Sequence, residues 1–205
     1  MKDLSLEDRF AFLKGRTPER IGEREMRQYA VMIPMIETPA GPELLFEVRS
    51  EQLHHQPGDI CFPGGGVEPG ETSAEAAVRE MREELLVTAD QIEMFGEGDI
   101  FGGGSRQVHT FVCRLKGYDG RFSRSEVAEV FRVPLSFFLE QEPEVHLVRW
   151  KPEFGEDFPF EKIHGGKRYP WRSPVDRILF YEYGGKVIWG MTARILEGFV
   201  GLLKE

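Results

Sequence analysis

Cysteine is scarce in this 205-residue chain, with Cys61 and Cys113 the only two. Two cysteines in a domain of this length do not build a disulfide framework, and each reads as a small apolar residue in a strand. Long hydrophobic runs are missing too. No apolar stretch approaches the ~20 residues that cross a bilayer, and the opening MKDLSLEDRF lacks the apolar centre of a secretory signal. A cytoplasmic location without membrane attachment is expected. Basic residues are outnumbered, 26 Lys and Arg against 35 Asp and Glu, giving a net charge of −9. That balance, with no clustered basic stripe, argues against a nucleic-acid-coating surface. It leaves room for a small polyphosphate ligand if metal ions bridge the two. Internal repeats, low-complexity tracts and composition breaks are absent as well. With 40% hydrophobic residues, one domain over residues 1–205 is expected, with 1–27 as an N-terminal helix and lead-in.

What is present concentrates in residues 62–87, FPGGGVEPGETSAEAAVREMREELLV. Thr72-Ser73-Ala74-Glu75 is a capping-box start for a helix. Ala74, Ala77, Val78, Met81 and Leu85 then recur at offsets of three and four and form one apolar face. Glu80, Glu83 and Glu84 lie within a turn of one another. Like charges at that spacing destabilise a helix by a few tenths of a kcal/mol per pair, roughly. Arg79 and Arg82 offset part of this, and a divalent cation would offset it better, because hard ions prefer carboxylate oxygen. On its own the triplet reads first as a solvated acidic face, because acidic helices are common. The preceding Phe62-Pro63-Gly64-Gly65-Gly66 changes the balance: a glycine-rich loop entering a helix lets backbone amides approach a phosphate.

The whole spacing resembles the signature of the Nudix hydrolases, which cleave a nucleoside diphosphate linked to another group. Gly65, Glu71, Arg79, Glu80, Glu83 and Glu84 match it, as do apolar Met81 and Val87. Leu86 departs from it, standing where the signature has the glycine that ends the helix. A second resemblance lies upstream, to the motif of the coenzyme A pyrophosphatase branch of that family. Leu44, Leu45, Arg49, Ser50, Gly58, Phe62, Pro63, Gly64 and Gly65 carry it, with Phe46 in place of a threonine and His54 in place of a second arginine. His54 matters because a guanidinium is always charged and grips phosphate with two donors, whereas imidazole titrates near ~6.5.

Elsewhere the chain reads as strands and turns. Residues 5–14 suggest a short helix. Arg27–Ile36 and Leu44–Val48 flank the turn Thr38-Pro39-Ala40-Gly41-Pro42 as a hairpin, with Pro34 pointing to an edge strand or a bulge. An edge strand of that kind offers a surface for a homodimer. Ile92–Ile100 and Val108–Leu115 are further strands, joined by a Gly-rich segment that reads either as a plain loop or as a lid with Arg106 reaching a phosphate. Pro134 starts a short helix over Leu135–Glu140. Glu144–Trp150 is a strand, Gly165-Gly166 and Gly184-Gly185 suggest hairpin turns, and a C-terminal helix follows Ile188. The aromatic and basic run Arg168–Arg172 suits core filling or stacking on an adenine.

The resemblance implies an α+β class and the Nudix fold, an α/β/α sandwich around a mixed sheet. It implies a Mg2+- or Mn2+-dependent pyrophosphatase whose substrate is a small nucleoside diphosphate derivative. Coenzyme A or an acyl-coenzyme A leads, giving 3',5'-ADP and a phosphopantetheine product. ADP-ribose is the alternative substrate, and a non-catalytic nucleotide-binding module of the same fold is the alternative of another class. Glu80, Glu83 and Glu84 are the expected metal ligands, with Arg79 orienting them, and one of Glu83, Glu84, Glu126 or Glu129 is the base, Glu126 being preferred to Glu129 as the additional downstream glutamate. Arg49, Ser50, His54, Phe62, Gly64, Gly65 and Arg106 are the expected substrate contacts.

Overall fold

The computed structural model describes residues 10–17, 21–22, 25–103 and 105–204. Most of the helix expected over 5–14 lies outside them; its described part is one α-helical residue, Phe10, followed by the exposed 3-10 turn Ala11–Leu13.

Strands β1 (Arg27–Thr38) and β2 (Gly41–Arg49) form the expected hairpin, in register from Thr38 opposite Gly41 to Met35 opposite Leu44. The Thr38 hydroxyl closes the turn, donating to the Gly41 carbonyl at 2.8 Å. Two very short strands follow, β3 (Ile60–Cys61) and β4 (Gly64–Gly66). They pair with the inner end of β2 and with residues 29–31 of β1. On the other edge of β1, β7 (Arg106–Leu115) runs parallel, and β5 (Ile92–Glu97) and β6 (Phe101–Gly103) run antiparallel to β7. Strand β8 (Val127–Pro134) covers the outer edge of β2. The sheet is therefore mixed.

Alternation along the strands gives the sheet two apolar faces. Met32, Leu45, Phe111 and Cys113 face helix α1 (Ser73–Leu85) and meet its Ala76, Ala77, Met81 and Leu85. Ile33, Leu44, Phe46 and Val108 face the other way. There they meet helix α2 (Leu135–Glu140), helix α3 (Gly190–Leu202) and a small antiparallel sheet of β9 (Glu144–Arg149), β10 (Val175–Tyr183) and β11 (Lys186–Trp189). Helices on both faces of a mixed sheet make the α/β/α sandwich of the α+β class. Met81 and Leu85 are fully buried, which stabilises the helix by about 1.5–3 kcal/mol each. The capping box forms on both sides: the Glu75 amide donates to the Thr72 hydroxyl at 3.2 Å, and the Thr72 amide donates to the Glu75 carboxylate at 2.8 Å.

Three local expectations change. Pro34 is not on an edge strand. It lies inside β1, whose even-numbered amides point toward β4 and β2, as the Met32 amide does in donating to the Pro63 carbonyl at 2.8 Å. Pairing with β4 stops at Val31 and pairing with β2 begins at Met35, so the missing proline donor faces the break between them. Gly165-Gly166 does not turn a hairpin; it leads into the 3-10 turn Gly166–Arg168, whereas Gly184-Gly185 does join β10 to β11. The run around Trp171 packs on its own neighbours, with Phe154 and Trp171 ring centroids 4.9 Å apart and Tyr169 and Trp171 likewise.

Candidate active site

The glycine loop and the acidic side of α1 are built against each other. The Gly64 amide donates to Glu84 Oε2 at 2.8 Å. A Cβ on Gly64 would stand 2.4 Å from the Ala30 carbonyl oxygen, and one on Gly65 would stand 2.2 Å from Glu80 Oε1. Gly64 is required by its close approach to the backbone of the central strand, whereas the atom facing Gly65 is the end of the Glu80 side chain, so Gly65 lets that carboxylate lie against the loop.

Arg79 ties this corner together. Its guanidinium holds Glu71 with two bonds, 2.8 and 3.2 Å, donates to Glu80 Oε1 at 2.9 Å, and reaches the Gly66 carbonyl at 3.0 Å. Glu83, more exposed, lies 3.5 Å from the same guanidinium. The fork geometry suits bidentate carboxylate binding. The bond to Glu71 comes first among the causes that hold Arg79 firmly charged, and the same bond pulls the Glu71 carboxyl below its ordinary range.

Glu84 is buried, and burial pushes its carboxyl far above the usual range. The Glu47 charge adds to the rise, the Gly64 amide counters it, and Glu80 and Glu126 add smaller contributions. Glu80 is raised as well, by burial first, with Arg79 pulling the other way. Glu126 sits in the turn just before β8, where its carbonyl accepts from the Ser50 amide at 2.8 Å, and its charge is felt by Glu47, Glu80 and Glu84. Glu129, two residues beyond Val127, pairs instead with Lys186 on β11.

Among the described residues, no three His, Cys, Asp or Glu side chains already form a metal cage. The donor set nevertheless fits a hard divalent cation. Carboxylates of Glu80 and Glu84 share one corner, burial disfavours the ionised form of each, the charges of Glu83 and Glu126 add to this at Glu80 and those of Glu47, Glu80 and Glu126 at Glu84, and oxygen donors of that charge are what Mg2+ and Mn2+ take.

The other residues expected from the sequence are placed as follows. Phe62 is buried and stacks on Phe46 at 4.7 Å between ring centroids, so it anchors the loop from within the core. Ser50 is buried, and its hydroxyl accepts from the Gln52 amide at 3.3 Å. Arg49 Nε donates to the His55 carbonyl at 3.3 Å, while the His54 side chain is exposed on the same turn. Arg106 is exposed at the start of β7, opposite Arg27. Of the segment before it, Phe101–Gly103 is a strand and not a plain loop, Phe101 opposite Val108 and Gly102 opposite Gln107, while Gly104 lies outside the described residues.

Glu47 is the residue that sequence reasoning missed. It is fully buried, and the Cys61 thiol opposite it donates to its Oε1 at 3.3 Å. Burial pushes its carboxyl up, partly countered by that bond and by Arg49, with Glu126 and Glu80 adding to the rise. Burial also keeps Cys61 a thiol, well above its ordinary range. The signal was available in the motif spacing. That motif has one residue between its threonine and Arg-Ser, so counting back from Arg49-Ser50 puts Leu-Leu-Thr on Leu45, Phe46 and Glu47, and not on Leu44, Leu45 and Phe46. In the structure Leu45 and Glu47 share the α1 side of β2, and Phe46 packs on the opposite one.

A sequence model of the NUDIX domain matches residues 26–154. The chain belongs to the Nudix family. Among curated Nudix relatives, the peroxisomal coenzyme A diphosphatase NUDT7 of Mus musculus is 30% identical over 148 residues, covering 71% of this chain and 62% of that protein. Nudix hydrolase 3 of Caenorhabditis elegans is 32% identical over 120 residues, covering 55% and 49%. This Nudix chain thus spans about half to three-fifths of the length of those two. The Nudix hydrolase NudL of Photorhabdus laumondii matches end to end, 30% identical over 200 residues and 95% of each chain.

Proposed function

We propose that this chain is a metal-dependent pyrophosphatase that cleaves the diphosphate of coenzyme A or an acyl-coenzyme A, releasing 3',5'-ADP and the phosphopantetheine half. The observation that carries the proposal is the corner where Glu80, Glu84 and Gly64-Gly65 converge under Arg79. A divalent cation held there by Glu80, Glu83 and Glu84 would neutralise the diphosphate and lower the pKa of a water. Arg79 fixes the carboxylates by its bonds to Glu71 and Glu80. Glu126, facing the same corner and free of the lysine that occupies Glu129, takes the proton from the attacking water. The Arg49–His55 turn receives the substrate phosphates.

Coenzyme A as the substrate is supported by Arg49, Ser50, Gly58 and the Phe62–Gly65 run, and by the activity in the name of the mouse relative. ADP-ribose is the second reading, favoured by the exposed His54 where the motif has arginine. The two free cysteines, and the absence among the described residues of a helix long and apolar enough to cross a membrane, are compatible with the cytoplasmic placement expected from the sequence. Catalysis is separated from mere binding by titrating Mg2+ or Mn2+ against turnover with coenzyme A. Turnover that rises with metal supports the proposal. Retained coenzyme A binding with no turnover at saturating metal contradicts it and favours a binding module.

A further inference from the structure

Glu47 is an anomaly that the shared chemistry does not account for. It lies on β2 two residues beyond Leu45, on the side of the sheet that α1 covers, and it is fully buried. One carboxylate oxygen, Oε1, accepts from the Cys61 thiol at 3.3 Å; the other, Oε2, is buried with no hydrogen-bond partner among the described residues. Its nearest basic neighbour along the strand, Arg49, commits Nε to the His55 carbonyl. A buried carboxylate oxygen left without a partner is costly, because its lost hydration is not replaced. Three further carboxylates, of Glu80, Glu84 and Glu126, surround it closely enough to be felt electrostatically. The upstream motif has threonine at this position, so the fourth acid belongs to this chain.

We propose that Glu47 is an additional member of the cation-holding carboxylate set, presenting its free Oε2 to the divalent ion beside Glu80 and Glu84. The inference rests on reading that corner as a metal site. One more carboxylate raises the charge of the site, and charge count is a main determinant of affinity for hard cations. With Oε1 held by the Cys61 thiol, Oε2 is the oxygen left for the ion, and the thiol fixes the carboxylate as partners behind a ligand usually do.

The test is Mn2+ binding, read as loss of the free-ion electron paramagnetic resonance signal, in wild type, Glu47→Gln, Glu47→Thr and Glu80→Gln. Gln preserves the shape of the buried side chain, and melting curves establish that each variant is folded. The expected result is a dissociation constant raised at least about tenfold in both Glu47 variants, in the range seen for lost supporting partners of a metal site. Wild-type affinity in Glu47→Gln, with binding lost in Glu80→Gln, overturns the assignment of Glu47 and leaves the metal site standing. Wild-type affinity in Glu80→Gln as well overturns both. A second measurement leaves Glu47 itself unchanged. The S–H infrared stretch of Cys61, assigned with Cys61→Ala, shifts on adding Mn2+ if the carboxylate it donates to binds the ion; an unmoved band contradicts the proposal.

Discussion

Leu86 stands where the family signature has glycine, yet the backbone there is still left-handed, with φ 52° and ψ 37°. An L-residue in that conformation costs roughly 1–2 kcal/mol. Comparing Leu86→Gly with Leu86→Ala isolates this strain, because both variants lose the same half-exposed side chain (48% exposed). Glycine relieves the strain but gives back about 0.4–1 kcal/mol through the greater freedom of its unfolded chain. Leu86→Gly is therefore expected to be more stable than Leu86→Ala by about 0.5–1 kcal/mol. For a chain of this length that is about 1–4 °C in melting temperature. The sign is the diagnostic, since in an ordinary helical position alanine is the more stable by up to ~1 kcal/mol. Urea or thermal denaturation of the two variants decides. Leu86→Ala equal to or more stable than Leu86→Gly would show that the left-handed cap does not exist in solution.

Three other outcomes follow from the site. Glu84→Gln should fold and lose more than about 100-fold in turnover with metal saturating, exceeding the 10–100-fold typical of residues behind a metal site; near wild-type turnover would remove Glu84 from the chemistry. Without metal, stability should fall as pH rises from 5 to 8. Folded-state values of Glu84, Glu47 and Glu80 are all raised, so their contribution is complete below the unfolded carboxylate value of about 4.3 and is lost progressively above it. The lowered carboxyls of Glu71, Glu75, Asp90, Glu93 and Asp119 act oppositely, but only in the acid range below that window. Melting in EDTA across that range tests the sign, and a rising melting temperature would contradict it. Gly64→Ala should cost about 1–3 kcal/mol, because the added methyl meets the Ala30 backbone oxygen at 2.4 Å; an unchanged denaturation midpoint would mean that β4 does not pack against β1 as described.

The parts of this molecule set by local pattern were legible in its sequence. The capping box at Thr72, the apolar stripe of α1 and the β1–β2 hairpin each announce themselves within a few residues. The mixed sheet did not, since parallel pairing of β1 with β7 joins segments that lie far apart in the chain. Pro34 misled because a proline in a strand signals an edge only if both sides of the strand are continuously paired. Here the partner on one side changes at that residue. The carboxylates of α1 were visible as a cluster, while Glu47 was hidden by a one-residue shift in the motif count. In a strand, that shift moves a side chain to the opposite face of the sheet. The Phe101–Gly103 arm looked like a loop because its glycines carry no pairing preference, and only register with β7 makes it a strand.

Incubating purified protein with coenzyme A and Mg2+ or Mn2+, beside ADP-ribose, and resolving the products by mass decides substrate and chemistry together. Release of 3',5'-ADP and phosphopantetheine, abolished by EDTA, is the predicted result. Cleavage of ADP-ribose with coenzyme A left intact would contradict the assigned substrate while keeping the acidic corner, and no metal-dependent cleavage of either would contradict the assigned chemistry itself.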